Sequence, residues 1–346
     1  MTNHNERRPA TATNDAMYNN LIEVLMNNAD ILDTGAELNA YYKDTEPQTE
    51  AEKELFKTIN RKYCNDTESE NLLITMFVYS ITPEQPRNNV FLKVDSLKKL
   101  YSEAGESAVI KTVLDNIKYA LFIRDQAEQT TNALDTYEGI KDRLIIRPLN
   151  YDINESKVEG CIYKRVDDIA LTVYAIVLDD RKNGILNTIK IPLEVVETWE
   201  GVTPEEVFEN AMKNTSQYYN PRLYTNIFEV ETTPFKECAI MEKGYAVKEL
   251  NNDTIALLTT DRKTNGAIAA FLPGTLERIS KLYGNSDFYI AFTSIHEAMT
   301  HKKGSIAIES IKRNVTETNR IFGNDDTLSN KVWLYSAETK ELTAVL

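Results

Sequence analysis

The stretch IALTVYAIVL, residues 169–178, is apolar along nearly its whole length and rich in β-branched side chains. A run of that length bounded by polar residues reads as a strand buried on both faces. Asp179-Asp180-Arg181-Lys182-Asn183-Gly184 closes it, a second apolar strand runs to Ile191, and a short helix is expected up to Trp199. Asn-Gly supplies the positive φ angles that tight hairpins require. The same order recurs later. Thr254–Thr260 reads as a strand and is followed by Asp261-Arg262-Lys263-Thr264-Asn265-Gly266, a second strand to Leu272 and a helix over Gly274–Tyr283. Hairpins converge on Asn-Gly for local reasons, and a duplication would leave the same trace.

Working outward from the two units, Asn89–Val94 alternates as a strand does, and Ser96–Ala104 and Val109–Gln126 have helical spacing. Leu144–Ile146 is β-rich. Thr203-Pro204-Glu205-Glu206 is a capping box with proline at the first helical position, and Val207, Ala211 and Met212 give Thr203–Tyr218 an apolar stripe. Asp287–Phe292 reads as a strand, Ser305–Asn319 as a helix, and Lys331–Tyr335 with Leu342–Val345 as a closing hairpin.

Toward the N-terminus, residues 1–13 form a polar tail expected to be disordered, and residues 14–85 are expected to be helical. Asp15–Leu32 is amphipathic. Capping-box patterns at 49–52 and 67–70 each open a further run, the first carrying Leu55, Ile59 and Tyr63. Pro83 and Pro86 suggest a boundary, with an α+β domain over 86–346 that divides into subdomains at 86–225 and 226–346. The fold class is therefore α+β: a helical N-terminal region, then antiparallel hairpins and a mixed sheet covered by helices.

The chain has 346 residues and a net charge of −14. No apolar run is long enough to cross a bilayer, and the first residues lack the apolar core of a signal peptide. Cys64, Cys161 and Cys238 are widely spaced and odd in number, as reduced cytoplasmic thiols are. The excess of acid argues against direct nucleic-acid binding, which needs lysine and arginine to neutralise phosphate. It fits either simple solubility or a surface aimed at a basic partner protein. Residues 1–50 carry nine acids against three bases, and residues 151–200 ten against six.

Thr293–Gly304, TSIHEAMTHKKG, resembles a zincin helix at first sight. Such a helix needs two histidines four residues apart, whereas His296 and His301 are five apart, which rotates the second ring by about 140°. On a strand, an odd spacing places them on opposite faces. His296 is therefore expected to end a strand or turn, and His301 to be solvated beside Lys302 and Lys303. His4 is the only other histidine. No phosphate loop, dinucleotide fingerprint or nucleophile elbow occurs, and no cofactor or metal is implied. Asp167-Asp168 and Asp179-Asp180 are expected to solvate the ends of the central strand. Cys161 and Cys238 have no local base.

Tyr218-Tyr219, with Arg222 and Tyr224 close behind, forms an aromatic cluster with one cation, a composition found in binding hot spots and equally at ordinary domain edges. Asn150, Tyr151 and Asn154 fit a polar pocket or a turn. With Asn265, Gly266, His296 and Glu297 they complete the candidate binding surface.

NVFLKVDSLKKLYSEAGE, DRLIIRPLNYDIN, EVVETWEGVTPEEVFENAMKNT, NPRLY, LLTTDRKTNGAIAAFLPGTLERISKLYG, DFYIAFTSIHEAM and LSNKVWLYSAETKEL occur in this order from Asn89 onward. Together they resemble a bacterial family catalogued as domain of unknown function 5688, found mostly in gut Firmicutes and their mobile elements. The family is similar in having His-Glu where His296-Glu297 stands, followed by strand formers. AMTHKK departs from its more apolar continuation. The resemblance implies kinship without an established reaction.

The reading these observations favour is a non-enzymatic, acidic interaction protein of a bacterium or mobile element, one version of it inhibiting a basic, nucleic-acid-handling defence protein. An enzyme or small-molecule binder with a site near His296 and Glu297 is the alternative, and a structural or packaged component of a phage-like element is another.

Overall fold

The computed structural model describes residues 16–27, 36–41, 73–78, 88–182, 184–226, 230–242 and 249–346. The tail, the capping-box patterns at 49–52 and 67–70 and the proline pair lie outside them. The chain forms two compact units, residues 1–126 and 127–346; the sequence had suggested a first boundary near residue 86.

In the first unit, helix α1 (Ala16–Asn27) falls within the expected Asp15–Leu32. Strands β1 (Ala36–Tyr41), β2 (Leu73–Val78) and β3 (Asn88–Lys93) form an antiparallel sheet in that order. Two of these strands lie in the stretch expected to be helical. LITMFV is an apolar run with β-branched residues that reads equally as a strand or as a turn and a half of buried helix, so periodicity could not decide it. Helix α2 (Val94–Ala104) follows β3 directly, and Gly105 at φ 78 separates it from α3 (Glu106–Ala133), within which the boundary between the units falls.

The second unit is organised by IALTVYAIVL. It forms β6 (Ile169–Asp180), and Ile169 to Ala175 are all buried. β4 (Leu144–Asn150) pairs along one edge of β6. Along the other edge lie β5 (Tyr163–Val166) and then β7 (Ile185–Lys190), linked by a bridge between Cys161 and Pro192. β6 and β7 make the expected hairpin, with Gly184 at φ 68.

Helix α4 (Tyr137–Ile140) precedes β4, and α5 (Tyr151–Val158) follows it. After β7 come α6 (Leu193–Val196), a single turn where a longer helix was expected, and α7 (Pro204–Tyr218). α7 begins as the sequence predicts. Thr203 Oγ1 accepts from the Glu206 N–H, and Glu206 accepts from the Thr203 N–H. Val207, Ala211 and Thr215, four residues apart, form its buried stripe.

The polar side chains of α7 close the outer edge of β4. Thr215 Oγ1 accepts from the Ile146 N–H at 2.7 Å, and Asn214 donates to the carbonyls of Lys141 and Leu144 at 2.7 and 3.0 Å. These backbone groups have no strand beside them, and leaving them buried and unpaired would cost about 1–3 kcal/mol each.

The second sheet runs β13-β12-β10-β11-β9-β8, built from β8 (Pro221–Tyr224), β9 (Ile255–Thr260), β10 (Phe288–Ser294), β11 (Glu297–Lys302), β12 (Val332–Tyr335) and β13 (Leu342–Ala344). Every strand pair among the described residues is antiparallel, so the parallel component of the expected mixed sheet is absent there. Helices α8 (Phe235–Cys238), α9 (Thr275–Leu282) and α10 (Ile308–Phe322) complete the unit. α10 places Ile311 and Val315 against Ala291 and Val332. Both sheets share one apolar core in which Phe292 stacks on Phe271 and meets Trp333 edge-on.

The second Asn-Gly unit is not a hairpin. Residues Gly266–Phe271 form a 3-10 helix where a strand was expected. β9 is already paired with β8 on one edge and β11 on the other, leaving no edge for a hairpin partner. The two units thus share a sequence pattern but not a structure.

Replacing Thr215 with valine keeps the shape and removes the acceptor for the buried Ile146 N–H. We expect a loss of about 1–3 kcal/mol in urea unfolding, with an unchanged m value.

Candidate functional site

The two Asp-Arg-Lys turns, distant in sequence, meet in space. The Arg262 guanidinium forks onto Asp179, at 2.6 Å from Nη1 to Oδ1 and 2.9 Å from Nη2 to Oδ2. It also lies 3.7 Å from the ring centre of Tyr218. Arg181 approaches the same carboxylate at 3.5 Å and the same ring at 5.8 Å. Asp261 accepts from both the backbone N–H and the side-chain amide of Asn220, fixing the second turn to the start of β8.

A cleft of about 170 Å³, open to solvent, lies between the turns, lined by Asp179 to Arg181, Gly184 to Leu186, Asp261, Arg262 and Thr264. Its charges are largely matched within the site. Burial pushes the Asp179 carboxyl up, but the Arg262 fork and its charge outweigh this and hold it below the ordinary carboxylate value. Burial raises the Tyr218 phenol.

Asn265 and Gly266 begin the 3-10 helix, and the His296 segment holds them. Asn265 is buried with φ 53, a left-handed conformation that asparagine tolerates better than most residues. Its N–H donates to His296 Nδ1 at 3.1 Å. A Cβ on Gly266 would lie 2.1 Å from Thr259 Oγ1 and 2.4 Å from the His296 carbonyl, so only glycine fits. Tyr219, fully buried, is beside Asn265.

His296 occupies the turn between β10 and β11, as expected, and Glu297 opens the strand after it. The two do not form a pair. Glu297 Oε1 accepts from Thr293 at 3.3 Å, whereas His296 Nε2 stands 3.5 Å from Asp326.

The other candidates do not gather at this cleft. Asn150 caps α5, accepting from the Ile153 N–H and donating to the Leu328 carbonyl, both at 2.9 Å. Asn154 donates back to the Asn150 carbonyl. Tyr151 donates to Glu155 and lies under Arg165, whose guanidinium is 3.7 Å from its ring centre. Its hydrogen bonds with Tyr163 and Glu155, together with burial, push its phenol up to about 12. The segment passes directly from β4 into α5, so Asn150 serves as a helix cap and Tyr151 and Asn154 lie in the first turns of that helix. On β8, Arg222 is buried, donates to the Pro221 carbonyl and faces the Phe235 ring at 4.4 Å. Tyr224 packs with Cys238 and Leu257, and burial raises its phenol to about 12.

Three expectations are corrected. His301 is buried in β11 rather than solvated, and desolvation lowers its pKa to about 4. The neighbouring lysines mislead, because Lys302 alternates to the other face of β11 and the exposed Lys303 lies beyond the strand's end, so neither reports on the face that His301 occupies. Asp179 is the anchor of Arg262 and not a solvated strand end. Asp168 is buried and accepts from Ser329 at 2.9 and 3.1 Å; burial raises its carboxyl, with the Ser329 bond opposing. Arg262 and Asp326 are not among the residues singled out in the sequence, and the repeated Asp-Arg-Lys, which contains Arg262, is the signal that points to the first of them. Among the described residues no group of three or more His, Cys, Asp or Glu is placed to hold a metal ion.

Arg262→Met would leave Asp179 without its principal partner. A loss of about 1–3 kcal/mol in chemical denaturation at neutral pH is expected, since the half-buried carboxylate keeps only the more distant and more exposed Arg181. His301 makes a separate contribution. Its folded value lies below that of the unfolded chain, about 6.5, so its stabilisation is complete above that value and is lost as pH falls toward about 4. His301→Leu should remove about 2–3 kcal/mol of this acid sensitivity, read by comparing unfolding at pH values across that window.

Compared with known proteins, the chain matches the model of one family over residues 64–337, described as a family of unknown function (DUF5688). The match begins before residue 89, where the resemblance of the sequence started. No curated protein and no solved structure matches.

Proposed function

The chain belongs to this family of unknown function, and we propose that it acts as a non-enzymatic binding protein for a basic protein partner, contacted through an acidic face on α6, α7 and the segment between them. The observation that carries this reading is the segment from Ile191 to Met212. It contains Glu194, Glu197, Glu200, Glu205, Glu206 and Glu209, all exposed, and no lysine or arginine.

The segment is held in place before any partner arrives. Trp199 is buried, its indole N–H donates to the Leu134 carbonyl at 2.8 Å, and its ring packs on Tyr137. The capping box fixes the entry to α7. A fixed array of like charges facing water is costly to the free protein, and a cationic surface relieves that cost while speeding encounter. Proteins that handle nucleic acid carry such surfaces because they must neutralise phosphate. On this reading the acidic face occupies the partner's phosphate-binding surface and inhibits it.

The test is capture of partners from host lysate by the tagged chain at low and moderate salt, alongside a variant with Glu194, Glu197, Glu200, Glu205 and Glu209 all changed to glutamine. Glu206 is retained because it caps α7. A basic protein should be captured at low salt and lost by about tenfold as the screening length falls below about 8 Å, and the variant should fail to capture it while melting normally. Capture indifferent to both salt and the substitutions would overturn the proposal.

A further inference from the structure

We infer that His296 is a proton-sensitive latch on the Asn265-Gly266 turn. This does not depend on the acidic-face reading. The ring makes two contacts of opposite preference. Nδ1 accepts the Asn265 N–H at 3.1 Å, which requires a bare lone pair and places the proton of the neutral ring on Nε2. Nε2 lies 3.5 Å from the Asp326 carboxylate, which welcomes a second proton on the ring. Protonation therefore keeps the Asp326 contact and destroys the other, because a protonated Nδ1 would face the Asn265 N–H donor to donor.

The rest of the turn is tied to the same segment. The Ala267 N–H donates to the Ile295 carbonyl at 3.2 Å, and Thr259 Oγ1 donates to the His296 carbonyl at 2.8 Å. Gly266 is pressed against that carbonyl with no room for a Cβ. The Asn265 N–H belongs to a residue 2% exposed, so water cannot readily replace the lost acceptor. The ring itself is 38% exposed and can exchange protons with solvent.

The other charged groups around the ring are committed or turned to water. Glu297, next in the chain, accepts from Thr293. Asp325 beside Asp326 is exposed. On the turn, Arg262 is forked onto Asp179 and Lys263 is paired with Glu231. The balance thus lies between Asp326 and Asn265. When it shifts toward the protonated ring, the Asn265 N–H loses its acceptor and the turn opens locally there, while its ties to the Ile295 carbonyl and to Asp179 remain.

The test uses the full-length 15N-labelled protein, following the imidazole nitrogens and the exchange of the Asn265 amide from about pH 8 to about pH 5, the range in which histidines titrate. At the upper end His296 should carry its proton on Nε2, and the Asn265 amide should exchange slowly. As the ring protonates, Asn265 protection should fall by at least about tenfold beyond the intrinsic pH effect, while Leu257 and Leu258 in β9 keep theirs. Asp326→Asn should move the transition to lower pH, and His296→Ala should leave the amide unprotected throughout with no transition. A neutral ring protonated on Nδ1, or an Asn265 amide whose protection ignores the titration of His296, would disprove the latch.

Discussion

A strand with almost no polar side chains must be covered on both faces and hydrogen-bonded on both edges, and β6 imposes that requirement on everything around it. β4 takes one edge. The other is longer than any single neighbour, so β5 and β7 divide it and meet at the Cys161–Pro192 bridge. The faces draw on residues far away in sequence, which is why the two sheets share one core instead of each enclosing its own. Burying the whole apolar side of β6 outweighs the entropy of ordering these distant segments, as it must for the fold to hold.

At the end of β6 the chain must return to water, and there the polar chemistry concentrates. Asp179 and Asp180 end the strand, and the second turn supplies the guanidinium that Asp179 needs. Arginine suits this place because its flat head can lie on Tyr218 while its two terminal nitrogens reach one carboxylate. A lysine could meet the charge but not the ring and the fork together.

The parts of the fold that depend on local chemistry were legible in the sequence. Thr203-Pro204-Glu205-Glu206 specifies its helix start through atoms within four residues, and IALTVYAIVL can hardly be anything but a buried strand. The parts that depend on distant neighbours were not. Asn265-Gly266 satisfies the local rule for a hairpin, but whether a hairpin forms depends on whether β9 has a free edge, which β8 and β11 decide. His301 illustrates the same limit: Lys302 lies on the other face of β11 and Lys303 beyond its end, while the burial of His301 is set by packing across the sheet. In the candidate site, Asn265-Gly266 and His296 stand out in the sequence as two separate turns, but their contact does not, nor do the roles of Asp179, Arg262 and Asp326, because no residue announces its partner at a separation of dozens of positions.

The covering of β4 by α7 also governs how the molecule meets copies of itself. An uncovered edge strand offers a ladder to any other extended chain, and that is the usual start of fibrous association. On this side of the sheet the ladder is blocked by hydroxyl and amide groups from a helix that begins more than fifty residues after β4 ends. A nascent chain that has made β4 but not yet α7 is exposed in a way the finished protein is not. Protection of that edge arrives with the synthesis of α7, so a chain truncated or stalled before it would carry the aggregation hazard that the complete fold removes.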